Sequence, residues 1–146
     1  MVRSLEVKIC SVLICQNESH SVLVSEEEIL ELKDFIFQLN TLENSVVIVE
    51  GKRDSNALRK LGYSGKVLEF HRFTGMVNFA DSVAKYERLV ILFDRDKKGR
   101  TLTGKTIQLL QRRTKVDLTF KRKLRIITKG KIMFIEQLVS YESYLI

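Results

Sequence analysis

The sequence predicts an open α/β fold, with a mainly parallel sheet of about four strands and helices on both faces. Three observations predict it. Short apolar runs (SVVIV at 45–49, KVLEF at 66–70, LVILF at 89–93) alternate with segments whose apolar residues recur at helical spacing. LVILF is apolar at every position, which suits a strand covered on both faces. The composition, 45 % hydrophobic and 29 % charged over 146 residues, suits one domain able to bury a core.

Residues 5–24 contain two β-branched runs around the turn signal QNES. Residues 1–24 are therefore expected as an N-terminal β-hairpin extension, either an edge addition or a dimer contact. The α/β domain is expected over 25–146. Ser25, with Glu28 three residues on, is a capping-box signature, and Ile29, Leu32, Ile36 and Leu39 make the buried stripe of the helix it opens. SVVIV is the first strand, and a helix from about Asp54 to Leu61 follows, with Gly62 as its C-terminal cap. KVLEF is the second strand, and 76–87 the next helix, with Val77, Ala80 and Ala84 inward. LVILF is the third strand. A helix from about Arg100 to Arg113, a fourth strand at VDLTF (116–120) and a helical tail complete the chain. Alternation of this kind gives parallel strands with right-handed crossovers.

No apolar run is long enough to span a membrane, and Glu6 and Lys8 interrupt any signal-peptide core near Arg3, so a cytoplasmic protein is expected. Cys10 and Cys15 lie an odd number of residues apart in a strand-like segment and so face opposite ways. Free thiols of a reducing compartment, not a zinc site, are the expectation. His20 and His71 are read as surface or partly buried side chains without a catalytic part. The net charge of +7 is uneven: residues 95–131 hold 14 Lys and Arg against 2 Asp, a local +12, whereas 1–94 hold 11 against 14 acids, or −3. A basic segment beside an acidic pair favours a polyanion, RNA or DNA, as partner over a membrane surface.

In open α/β sheets ligands gather outside the carboxyl ends of the strands. Glu50 directly follows the first strand and Asp94 the third, and Asp96 projects to the same side as Asp94. Three carboxylates are thus expected to converge. Like charges so close repel, and a divalent cation between them relieves the repulsion; Mg2+, with Mn2+ as a substitute, suits such oxygen ligands. Gly51 and Gly99, beside the two acidic positions, let the backbone approach a phosphate. The competing reading is that Asp94 and Asp96 only cap the helix that follows.

The segment VVIVEGKRDSNALRKLGYSG, followed by LVILFDRDKKGR, resembles the Toprim domain, a module shared by topoisomerases, bacterial-type primases and several nucleases. That family has a Glu-Gly after its first strand and an Asp-x-Asp followed by glycine after its third, matched here by Glu50-Gly51 and by Asp94-Arg95-Asp96 with Gly99. The likeness is nearer to small archaeal Toprim-only proteins and to ribosomal-RNA maturation nucleases with an E-G-K-x-D start, which Lys52 and Asp54 reproduce. The stretch KVDLTFKRKLR is similar to the tail of the archaeal group. The resemblance implies a Toprim-type fold and Mg-dependent nucleic-acid phosphodiester chemistry, foremost hydrolysis of RNA or DNA, in RNA processing or DNA repair. It implies that Asp94 and Asp96 hold the metal, that Glu50 is a general acid/base sharing it, and that Lys52 stabilises developing phosphate charge. Asp54 would orient Lys52 or cap its helix, and Arg95, Lys97, Lys98 and Arg100 would grip the nucleic-acid backbone. Lys98 stands where some members carry a third acid, so a second tightly held metal is not expected.

Two alternatives accompany this reading. Gly99-RTLT-Gly104-Lys105-Thr106 fits the phosphate-loop pattern G-x-x-x-x-G-K-[ST]. However, five charged residues (DRDKK) separate strand from loop, and Leu102, Ile107, Leu109 and Leu110 carry a helical apolar pattern through it. The stretch is read as a basic helix whose Lys105 touches a nucleic-acid phosphate. The other alternative is a non-catalytic module binding structured RNA or DNA through the 95–131 segment, alone, as a homodimer or in a larger complex.

Overall fold

The computed structural model describes residues 24–145; the hairpin expected over 5–24 falls, but for Val24, outside the described residues. The elements run α1 (Glu26–Thr41), β1 (Ser45–Val49), α2 (Lys52–Lys60), β2 (Val67–Glu69), α3 (Met76–Val83), β3 (Arg88–Ile91), α4 (Lys97–Leu110), β4 (Lys115–Asp117) and α5 (Thr119–Ile127). A short 3-10 turn (Phe70–Arg72) follows β2, and a 3-10 segment (Ile135–Tyr144) closes the described chain. The four strands form one all-parallel sheet in the order β2-β1-β3-β4. The chain steps from β1 outward to β2, then crosses back to β3 on the other side of β1. The winding therefore reverses between β1 and β3, the position at which open α/β sheets bind their ligands, past the strands' carboxyl ends.

Alternation along the strands builds two cores. Val47, Val49, Val90 and Leu92 pack with α1, with Leu58 of α2, with Phe120 and Leu124 of α5, and with Leu138 and Tyr141 of the C-terminal segment. Val46, Ile48, Leu89, Ile91 and Phe93 pack on the opposite face with Phe79, Ala80 and Val83 of α3 and Leu102 and Leu110 of α4. Both faces are thus covered, as the unbroken apolar runs require.

Polar contacts set the boundaries. Ser25 caps α1 by accepting from Glu28 N at 3.0 Å. The reciprocal arm expected of a capping box is spent elsewhere: the Glu28 carboxylate, 2 % exposed, is turned inward to Lys131 Nζ at 2.9 Å and to the Tyr141 hydroxyl. Phe35 joins the expected stripe of α1. α2 begins two residues before the expected start because Asp54 Oδ2 accepts from Gly51 N at 3.3 Å. Gly62, at φ +103°, ends it as expected. In α3 the inward residues are Phe79, Ala80 and Val83, and Val77 is exposed; the inward register is shifted from the expected one. α3 also stops at Val83, since Tyr86 N bonds to Val83 O and Glu87 N to Asn44 O, which turns the chain into β3.

α4 starts at Lys97, three residues before the expected position, because Asp96 caps it through Gly99 N at 2.8 Å. β4 is shorter than the expected 116–120. Asp117 is buried, pairs with Arg88 at 3.2 Å, and accepts from Thr119 N at 2.8 Å, which bends the chain at Leu118 into α5. Among the described residues no helix is long and apolar enough to cross a membrane.

Candidate active site

β1 and β3 are hydrogen-bonded neighbours, so Glu50, directly after β1, and Asp94, three residues past the end of β3 rather than directly after it as expected, meet at the switch point of the sheet. Glu50 is 5 % exposed, and its Oε2 accepts from Asp94 N at 2.9 Å. Burial, above all, and then a hydrogen bond with Glu50 and the charges of Glu50 and Asp96 push the Asp94 carboxyl up to about 7, although Ile135 N donates to its Oδ1 at 2.8 Å. Asp54 is raised to about 6, by burial first, then by the charges of Asp94 and Glu136, against amide hydrogen bonds from Gly51 and Glu136. The rim is thus a compact store of negative charge, with Glu50 and Asp94 in direct contact. Neutral pH leaves a substantial fraction of Asp94 protonated.

Asp96 differs from its expected place. Its Oδ1 is committed to the α4 cap, so the capping reading holds for this residue while its charge still reaches Asp94. Among the described residues no three His, Cys, Asp or Glu side chains gather closely enough to hold a metal ion as a set. The expected three-carboxylate convergence is instead a contacting pair, Glu50 and Asp94, with Asp54, Asp96 and Glu136 near enough to act through charge. A pair suits Mg2+, which is held by one or two carboxylates while water and phosphate oxygens complete its shell. The hard oxygen donors present fit that ion.

Gly99 is required by packing. A Cβ there would lie 1.9 Å from the Asp94 carbonyl oxygen, so α4 can approach the acidic turn this closely only without a side chain. At Gly51 a Cβ would meet His71 Nδ1 at 3.3 Å, and His71 N donates to Glu50 O at 3.0 Å. Exposed Lys52 begins α2. Asp54, expected either to orient Lys52 or to cap its helix, bonds to Gly51 N as a cap does.

The basic residues divide. Lys97, Lys98 and Lys105 line one open concavity with Asp96, Thr101 and Leu102. Arg100 lines another, of about 370 Å³, with Arg95, Thr103, Leu118, Lys121, Arg122 and Arg125. Arg95, expected to grip a phosphate, instead braces the fold, its Nη1 donating to Gly130 O at 3.3 Å and Ile132 O at 3.2 Å. Together with Arg95 N bonded to Met133 O at 2.7 Å, this fastens the segment that carries Ile135 N to Asp94.

Two features escaped sequence reasoning. One is the pair of amides from Ile135 and Glu136 that crowns Asp94 and Asp54. The other is Lys121, half-buried in α5, whose Nζ donates to Thr103 Oγ1 at 3.2 Å. Burial lowers its pKa, the charges of Glu50 and Asp94 oppose that change, and Arg95 and Arg100 add to it. Lys121 lines the arginine-rich concavity and, beside it, a small cleft with Phe93 and Ile135. Its place after buried Phe120 in an amphipathic helix signalled partial burial, but nothing in the sequence said which strand ends it would face. The phosphate-loop pattern has no loop: residues 99–106 lie inside α4, where the backbone amides serve the helix, and the hydroxyl of buried Thr106 donates to Leu102 O at 2.8 Å.

No family model matches the chain. A UPF0292 protein of Thermococcus sibiricus is 39 % identical over 96 residues, covering 65 % of this chain and 75 % of that protein. A UPF0292 protein of Methanosarcina acetivorans is 34 % identical over 122 residues, covering 82 % of this chain and 81 % of that protein. A solved structure of a protein from Aquifex aeolicus is similar with a TM-score of 0.58 and 30 % identity, over 73 % of this chain and 96 % of that one. By sequence identity carried over most of these relatives' length, the chain belongs to the UPF0292 protein family.

Proposed function

We propose that the protein is a Toprim-type, Mg-dependent nuclease that hydrolyses phosphodiesters of RNA or DNA. The observation that carries the reading is the Glu50–Asp94 pair, the Glu50 carboxylate bonded to the Asp94 amide at the switch point of a parallel sheet, with concavities lined by lysine and arginine on the same fold. Glu50 and Asp94 would hold the ion, and Asp96 would act on it through charge or water. When bound, the ion supplies a Lewis acid for the phosphate and lowers the pKa of a water. Glu50 takes or returns the proton at the scissile ester, from a position fixed by its hydrogen bond to Asp94 N. Lys52, at the exposed start of α2, meets charge developing on the phosphate, and Lys97, Lys98 and Lys105 bear on the backbone of the strand.

The test is cleavage of a panel of structured RNAs and DNAs, with and without Mg2+, by wild type, Glu50→Gln and Asp94→Asn. Mg-dependent cutting lost in both variants is expected; cutting that survives both substitutions sinks the assignment. A second reading, a non-catalytic nucleic-acid-binding module, draws on the fact that Asp94 Oδ1 and Asp96 Oδ1 are each occupied by a backbone amide. Tight, salt-sensitive binding without turnover on any substrate would favour it.

A further inference from the structure

The concavity lined by Arg95, Arg100, Lys121, Arg122 and Arg125 is not explained by an extended backbone track. Five cations, with the Thr103 hydroxyl and Leu118, line one space of about 370 Å³, and among the described residues no carboxylate lines it. The ion pairs among the described residues use Arg53, Arg72, Arg88, Arg113 and Lys131, so none of the pocket's cations is neutralised by one. Arg95 bonds to backbone carbonyls and Lys121 to Thr103, which fixes both side chains at the pocket wall; Arg100, Arg122 and Arg125 are exposed. Thr103 Oγ1 in turn donates to Gly99 O at 2.8 Å, tying this wall to the glycine packed on Asp94.

Charge concentration decides the ligand. An internal phosphodiester carries a single negative charge, and successive diesters along a strand call for cations in a row. A phosphate monoester carries about −1.5 to −2 at pH 7 and offers three strong acceptor oxygens, which suits guanidinium forks converging from several sides. Lys121 and Arg95 also line a small cleft with Phe93 and Ile135, the residues beside Asp94 in sequence and by hydrogen bond, so the arginine-lined pocket lies on the side of the fold that carries the acidic rim.

We propose that this pocket is a subsite for a terminal phosphate monoester of the nucleic-acid strand, held by Arg100, Arg122, Arg125 and Lys121, so that the protein engages strand ends. The proposal rests on the nucleic-acid reading above and specifies its substrate class. Strand ends and free nucleotides share the same phosphate chemistry, and binding measurements separate them.

The experiment uses the full chain in EDTA and three single-stranded RNAs of one sequence, with a 5′-phosphate, a 3′-phosphate or hydroxyl ends, followed by fluorescence anisotropy. One phosphorylated form is expected to bind at least about tenfold more tightly than the hydroxyl form, the scale of added charge-assisted hydrogen bonds. Arg122→Gln with Arg125→Gln, and separately Arg100→Gln, should abolish that preference while thermal unfolding stays near wild type. Lys97→Gln with Lys98→Gln should weaken all three RNAs alike. Adenosine monophosphate should compete no better than inorganic phosphate; competition equal to the phosphorylated strand would overturn the strand-end assignment. Equal binding of all three RNAs, or a preference that persists in both arginine variants, overturns the subsite. An end preference without Mg-dependent cutting keeps the subsite and removes hydrolysis, whereas cutting without an end preference does the reverse.

Discussion

Asp94→Asn is expected to stabilise the metal-free protein at alkaline pH and to leave it nearly unchanged in acid. The Asp94 carboxyl is raised from 3.8 to about 7 by burial, by its contact with Glu50 and by the charges around it. Unfolded, the group ionises near 3.8; folded, it resists ionisation until about 7. Its contribution to stability is therefore most favourable below the unfolded value and declines as the pH rises through this window, with the full penalty present above it. At face value the shift converts to roughly 4 kcal/mol. Because Asp94 is only partly buried, solvent screening reduces this to about 1–2 kcal/mol. Asparagine copies the protonated acid: its oxygen can still accept from Ile135 N, and its amide can donate to Glu50. Thermal unfolding in EDTA should give variant and wild type close together near about pH 4.5, and the variant about 3–7 °C higher near pH 8. Mg2+ added at pH 8 should raise the wild type and narrow the gap. A variant less stable than wild type at pH 8, or a gap independent of pH, would refute the account of the acidic rim.

Three further outcomes follow from the same geometry. Gly99→Ala places a Cβ 1.9 Å from Asp94 O, so urea unfolding should report a loss of at least about 2 kcal/mol, and Mg-dependent cleavage should fall with it. Tyr141→Phe removes the hydroxyl that donates to the Glu28 carboxylate but leaves Lys131 in place, and should cost about 1–3 kcal/mol in the same assay. For duplex binding, Lys97→Gln with Lys98→Gln should reduce the slope of log affinity against log salt by up to about 2, and a slope unchanged from wild type would remove these lysines from the phosphate contacts.

The parallel architecture was legible because its signals are local. Fully apolar LVILF announced a strand covered on two sides, the short run SVVIV another strand, and Ser25 and Gly62 marked helix ends by their own chemistry. Boundaries were less legible wherever a side chain captured a nearby amide. Asp54, Asp96 and Asp117 each moved or sharpened the edge of an element through such a bond. The direction an aspartate takes there depends on which amide lies in reach, and a linear pattern does not carry that.

The candidate site divides in the same way. By itself the sequence determined that Glu50 and Asp94 lie past the carboxyl ends of parallel strands and so on one rim of the sheet; that β1 and β3 are neighbours there was decided by the tertiary structure. It also determined the strong positive charge of residues 95–131. Only the tertiary structure decided that Asp96 turns to cap α4, that Arg95 fastens the segment before Ile135, and that Arg100 joins Lys121, Arg122 and Arg125 around a separate pocket. Those outcomes depend on how α4, α5 and the C-terminal segment dock on the sheet. Docking is set by side chains meeting from distant parts of the chain, whereas strand direction and periodicity are written in consecutive residues.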